Sequence, residues 1–187
     1  MRKLLLLLAM LAMCAVAQAG FTSFNCTFDD DPAQAFHVWH FQTDAEGGNL
    51  DLHERYPAAF PGTDAVNMFA SADTDPIVKG IKFVTNATSQ AWTGYTLTVS
   101  APAGIGCVSS AGSPSADLFG TAVISNAGTK ITFSNGSVPI GEEVQLNFRI
   151  SVPTAGNFSW TMTQQAIPEP ATLSLLGLGA LALFRRK

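Results

Sequence analysis

The chain has 187 residues, a formal net charge of −4, and only 13% charged residues. Between Gly20 and Ala166, five cations face thirteen anions, for a net charge of −8. That balance repels nucleic acid and suits a secreted or matrix-associated surface. The same 147 residues make one domain's worth of chain, enough to bury a core.

The N-terminus reads as an export signal. Arg2 and Lys3 form a charged start, Leu4 to Ala12 an apolar run, and Ala17-Gln18-Ala19 supplies the small residues that a signal peptidase reads. Cleavage is expected before Gly20, making 1–19 the signal peptide. A lipoprotein site at Cys14 is the competing reading, but Met13 is large for the position before a lipidated cysteine. Removal of Cys14 leaves Cys26 and Cys107. In an oxidising compartment they predict one disulfide, with two separate buried thiols as the alternative. A loop of about 80 residues closed this way gains roughly 4–5 kcal/mol in the chain-entropy treatment.

Strand signals then follow in order. Phe21 to Phe28 is a first strand, and Asp29-Asp30-Asp31-Pro32 a turn. Phe36 to Phe41 is a strand in which Phe36, Val38 and His40 face one way and His37, Trp39 and Phe41 the other. Glu46 to Asn49 is a hairpin-like turn leading to a strand at Leu50 to His53. Ala65 to Ala70 is a short strand, and Ser71 to Pro76 an acidic loop. Ile77 to Thr85 is strand-like and ends in a turn at Asn86. Tyr95, Leu97 and Val99 alternate with polar partners. Pro102 to Ser115 is a long Gly/Ser/Pro loop containing Cys107. Ala122 to Ser125 and Lys130 to Ser134 flank an Asn-Ala-Gly turn. The clearest strand, Val144 to Val152, precedes a last one at Phe158 to Thr163, and the two are expected to form a hairpin. No sustained helical period occurs. The expected fold is all-β: an Ig-like or jelly-roll-type antiparallel β-sandwich over 20–166, flanked by the signal helix and a short C-terminal hydrophobic helix.

Candidate chemistry is sparse. Neither a G-x-S-x-G nor an H-E-x-x-H motif occurs, so no catalytic residue is assigned and no enzyme is expected. His37 and His40 lie an odd number apart on a strand and cannot share a metal. Asp29 and Asp31, and Asp73 and Asp75, offer oxygen ligands for calcium, although acidic turns also form simply as solvated caps. No other cofactor is expected. Trp39, Trp92 and Tyr95 are candidate glycan contacts, because flat rings stack on sugar faces; core packing is their other use. Trp160 belongs to an alternating inward set and reads as core. Sequons at Asn25, Asn86, Asn135 and Asn157 are weak signals in a chain rich in Asn, Ser and Thr.

The final stretch, 167–187, has three parts. Pro168-Glu169-Pro170 is a rigid, extended tripeptide. Ala171 to Phe184 is a largely apolar run of 14 residues, and Arg185-Arg186-Lys187 a basic stop. As a helix the run spans about 21 Å against a hydrocarbon core of about 30 Å, which favours transient membrane insertion over a permanent span. The basic end belongs on the cytoplasmic side. A buried C-terminal helix is the alternative.

This tail closely resembles the PEP-CTERM sorting signal of Gram-negative bacteria, through Pro168-Glu169-Pro170, Ala171-Thr172-Leu173, the Leu176-Gly177-Leu178-Gly179 run and the basic end. The resemblance implies recognition and removal of the tail by an exosortase, and delivery to the cell surface or an exopolysaccharide matrix. Residues 75–164 also look like Ig-like bacterial surface modules, on the strength of Asp75-Pro76-Ile77, Asn86-Ala87-Thr88, Trp92-Thr93-Gly94-Tyr95 and Gly141-Glu142-Glu143-Val144. That likeness implies fold alone. The expected role is structural or adhesive within a surface or biofilm matrix, with a carbohydrate-binding module, aided by calcium, as the alternative.

Overall fold

A computed structural model describes residues 21–28, 36–44, 47–56, 63–72, 76–110, 112–152 and 155–170. These form twelve strands: β1 (Phe21–Phe28), β2 (Phe36–Asp44), β3 (Gly47–Tyr56), β4 (Thr63–Ala72), β5 (Ile77–Asn86), β6 (Trp92–Ser100), β7 (Gly106–Cys107), β8 (Ser115–Ala116), β9 (Phe119–Ser125), β10 (Lys130–Gly136), β11 (Glu143–Ser151) and β12 (Gly156–Pro168). They make two six-stranded sheets. One has the order β1-β4-β12-β6-β10-β9; the other runs β2-β3-β5-β11-β7, with β8 also pairing to β11. The architecture is the all-β sandwich expected. Its pairs are antiparallel except β3 with β5, which run parallel.

The period of two that marks a half-buried strand carries the fold. In β5, Val78, Gly80, Lys82, Val84 and Asn86 are buried while their neighbours are half-buried. In β11, Val144, Leu146, Phe148 and Ile150 point inward. Gly80 gives Phe148 its space: a Cβ at residue 80 would collide with that ring. One side of the interior is filled by rings, with Phe24 stacked on Phe41 at 3.9 Å and Phe21, Phe158 and Trp160 edge-on or stacked around them. A second ring cluster, Tyr56, Trp92 and Tyr95, lies deeper.

Two expectations change. β11 and β12 do not pair: β11 sits between β5 and β7, and β12 lies between β4 and β6 in the other sheet. Each still turns its apolar face to the interior, β11 from one sheet and β12 from the other. The turn expected at Glu46–Asn49 is displaced, since Gly47, Gly48 and Asn49 are already strand, paired to Asp44, Thr43 and Gln42. β1 and β4 extend one sheet and β2 and β3 the other, so the sheets include strands on the N-terminal side of residues 75–164.

Asn86 ties the corner where β5 ends. Its Nδ2 donates to the carbonyls of Gln90 and Val138 at 2.9 and 3.0 Å, and its Oδ1 accepts from the Thr88 amide and hydroxyl. Thr88 in turn accepts from the Trp92 indole at 3.2 Å. Asn86 is fully buried, so this sequon asparagine serves packing. Asn86→Ala is expected to lower stability by about 3 kcal/mol in a denaturant titration, because it strands buried carbonyls. A loss below 0.5 kcal/mol would contradict this role.

Candidate functional site

The sorting tripeptide grows directly out of the sheet. β12 pairs with β4 as far as Gln165↔Thr63, then continues along β6 alone through Ala166↔Tyr95 and Ile167↔Gly94 to Pro168↔Trp92. Pro168 brings no N–H and ends the ladder. One residue on, the Glu169 amide donates to Ala91 O at 2.9 Å, and Ser137 Oγ donates to Glu169 Oε1 at 3.4 Å. Pro168 and Pro170 are exposed and Glu169 is half-buried. The arrangement presents an extended peptide at the end of a folded domain. The remainder of the tail, including Arg185, Arg186 and Lys187, lies outside the described residues, as do the expected signal peptide and the cleavage positions expected at Ala17, Ala19 and Gly20. Among the described residues no helix is long and apolar enough to cross a membrane.

The interior holds a polar cluster that the sequence reading missed. Lys82 Nζ pairs with Glu54 Oε1, and both side chains are 0% exposed. Glu54 Oε2 accepts from Tyr56 OH at 2.9 Å and from Gln164 Nε2 at 2.7 Å. Tyr95 OH lies 2.9 Å from Tyr56 OH and donates to Gln164 Oε1 at 3.2 Å. Glu54, Tyr56 and Lys82 come from β3 and β5, Tyr95 and Gln164 from β6 and β12, so the cluster joins the two sheets. A signal was present. Glu54 keeps step with Leu50, Leu52 and Tyr56, Lys82 with Val78 and Val84, and Gln164 with Trp160 and Met162, all inward phases.

The expected disulfide is not formed. Cys26 and Cys107 are both free and buried. Cys26 lies on β1, the edge strand packed beside β2; Cys107 lies on β7, beside the turn that joins β9 to β10 at the far side of the sandwich. The width of both sheets separates them. Burial raises the Cys26 thiol from 9.0 to about 12, with the Lys82 charge opposing and the Glu54 charge adding, and burial raises Cys107 to about 11.

The aromatic candidates also divide. Trp92 and Tyr95 are 1% and 0% exposed, so they are core and present no face to a sugar. Trp39 is half-buried on β2, tilted against Phe24 at 6.3 Å. Instead, a shallow hollow of about 440 Å³ lies at β1, β4 and β12, lined by Phe69, Asn25, Asn157, Ser23 and Ser159 together with the inward-phase residues Phe24, Ala70 and Phe158. Phe69 is 49% exposed there. It pairs with Asn25 on one side and Ser159 on the other. The calcium candidates Asp29, Asp31, Asp73 and Asp75 lie outside the described residues. The strand ends they follow, Phe28 and Ala72, are at opposite ends of the β1–β4 pair, about 23 Å apart at about 3.3 Å per residue. Among the described residues no group of three His, Cys, Asp or Glu could hold a metal. His40 is exposed, and His53 stacks on Phe83 at 4.6 Å.

Comparison with protein families matches residues 166–187 to the PEP-CTERM protein-sorting motif. The match begins at Ala166, inside the last strand. The motif marks the chain for exosortase and for export to the cell surface or beyond. Comparison with curated proteins gives no match, and comparison with solved structures gives none.

Two outcomes follow from the interior. Lys82→Met leaves the Glu54 carboxylate buried without its cation, and should cost about 3–5 kcal/mol in a denaturant titration; a cost under 1 kcal/mol would show the pair to be dispensable. For the thiols, the raised pKa values keep both protonated in the folded state while an unfolded chain ionises near 9.0. Their stabilising contribution is thus complete below about pH 9 and falls as pH rises toward 11–12. At pH 8 a thiol reagent should label neither cysteine in the native mature protein and both after denaturation. Fast native labelling would contradict this burial.

Proposed function

We propose that residues 20–166 are a non-enzymatic structural or adhesive component of the extracellular, exopolysaccharide-rich matrix of a Gram-negative bacterium. Signal peptidase cuts before Gly20. The C-terminal run holds the chain in the inner membrane transiently, and exosortase then removes the tail. The observation that carries this reading is the continuity of the sorting motif with β12: the address begins at Ala166, within a sheet strand, so cargo and handle form one built unit. The acidic surface supports it, since a net charge of −8 favours solubility among matrix polymers and the recruitment of divalent cations.

The hollow at β1, β4 and β12 favours a second reading, a carbohydrate-binding module. Phe69 offers a ring face and the neighbouring asparagines and serines offer hydrogen-bonding rims, the combination a pyranose needs. Calcium at Asp29 and Asp31, or at Asp73 and Asp75, would assist by neutralising charge near the polymer.

The test is fractionation and intact mass of the chain from cells with an active exosortase, followed by retention on matrix polysaccharide. The expected product starts at Gly20, ends near Pro168 to Pro170, and leaves the inner membrane. A chain still ending at Lys187 would sink the proposal. Retention that falls about tenfold in Phe69→Ala, a loss of about 1.4 kcal/mol, would favour the carbohydrate reading. Retention unchanged by that substitution and by a chelator would favour the structural one.

A further inference from the structure

We propose that Lys82 and Glu54 condense into an intramolecular amide, a covalent staple between β3 and β5. Both residues sit on inward phases of adjacent parallel strands, and Lys82 Nζ is ion-paired with Glu54 Oε1 in a site closed to solvent. A nucleophile held against an acyl group in fixed geometry reacts as if at very high concentration. The second carboxylate oxygen is equally well served. Oε2 accepts from Tyr56 OH and Gln164 Nε2, at 2.9 and 2.7 Å. Tyr95 holds both donors in place through its contacts with Tyr56 OH and Gln164 Oε1. The two oxygens therefore have different surroundings: one touches the amine, and the other sits in a preformed pair of donors of the kind that stabilises an oxyanion.

The step balances without oxidant, metal or co-reactant. One proton passes from Nζ to Oε1, turning ammonium and carboxylate into amine and carboxylic acid. The Nζ lone pair attacks Cδ, the C–N bond forms, and negative charge moves to Oε2, where Tyr56 and Gln164 receive it. A second Nζ proton passes to Oε1, the C–Oε1 bond breaks, and water leaves as Oε2 becomes the amide carbonyl. Two buried charges are replaced by a neutral group that keeps the same hydrogen-bond donors. Burial of an ion pair is costly, so the site gains by losing both charges. Water must re-enter a closed core to reverse the reaction. The link would give an exported domain with unpaired cysteines a covalent brace of another kind.

Tryptic mapping of the purified full-length chain tests this. The amide blocks cleavage after Lys82, so the expected product is a branched peptide joining residues 80–130 to the peptide that ends at Arg55, 18 Da lighter than the sum of its parts. Fragmentation should place the link between Glu54 and Lys82. Lys82→Arg keeps the cation but forms no such link, and should return ordinary peptides. Tyr56→Phe should slow linking in freshly refolded protein about 100-fold, the scale of losing one oxyanion donor. Because the wild-type digest decides by itself, an unstable variant does not protect the proposal. Complete cleavage after Lys82 in the folded wild-type chain overturns it. So does a link 17 Da light running from Lys82 to Gln164, which would make Glu54 a proton relay and not the acyl partner.

Discussion

One carboxylate, that of Glu54, is the point on which the interior turns. It accepts from β12 through Gln164, from its own strand through Tyr56, and pairs with Lys82 on β5. A lysine at 0% exposure is tolerable only beside an opposite charge, and the carboxylate in turn needs donors on its other oxygen. Each requirement recruits a residue from a different strand. The result is a polar cluster that fixes how the sheets face one another, where hydrophobic packing alone would accept several sliding arrangements. Cys26 feels the same charges from the end strand β1, so the influence of the pair extends to one edge of the sandwich.

The sorting end depends on this interior as well. Gln164 stands two residues before Ala166, where the family match begins, and four before the first proline of the tripeptide. The strand that feeds the cluster is thus the one that delivers the tail. Pairing with β6 carries the chain to Trp92, whose buried indole is held by Thr88 and through it by Asn86. The tripeptide emerges from a well-braced corner, with Glu169 tied to Ala91 and Ser137. A rigid exit of this kind leaves both prolines exposed at the end of the last strand.

Much of the strand layout could be read from residue alternation. Val144 to Ile150 and Val78 to Val84 show it plainly, and β1 falls where its aromatic and polar residues place it. Alternation identifies an inward face but not what fills it. It therefore gave Lys82, Glu54 and Gln164 no special standing, although all three sit in inward phases. It also could not tell an exposed ring from a core ring: Trp92 and Tyr95 are buried, while Phe69 is a ring left open among the described residues. The cysteine expectation rested on compartment and count, and these carry no information about distance. β1 and β7 lie at opposite edges, which no spacing of 26 and 107 along the chain could show.

The division has a physical cause. A strand's period of two and a tail's order of proline, apolar run and cations are local properties, written in consecutive residues. The sequence by itself therefore determined that this is an all-β chain with a PEP-CTERM address. Sheet order, the separation of β11 from β12, the parallel β3–β5 pair and the closure of the Glu54 cluster arise from contacts between residues tens of positions apart. Only the tertiary structure decided those, because the energy of placing a buried charge depends on what the fold brings to meet it. The address is legible in twenty-two residues at one end; the interior that holds it in place exists only once the two sheets close.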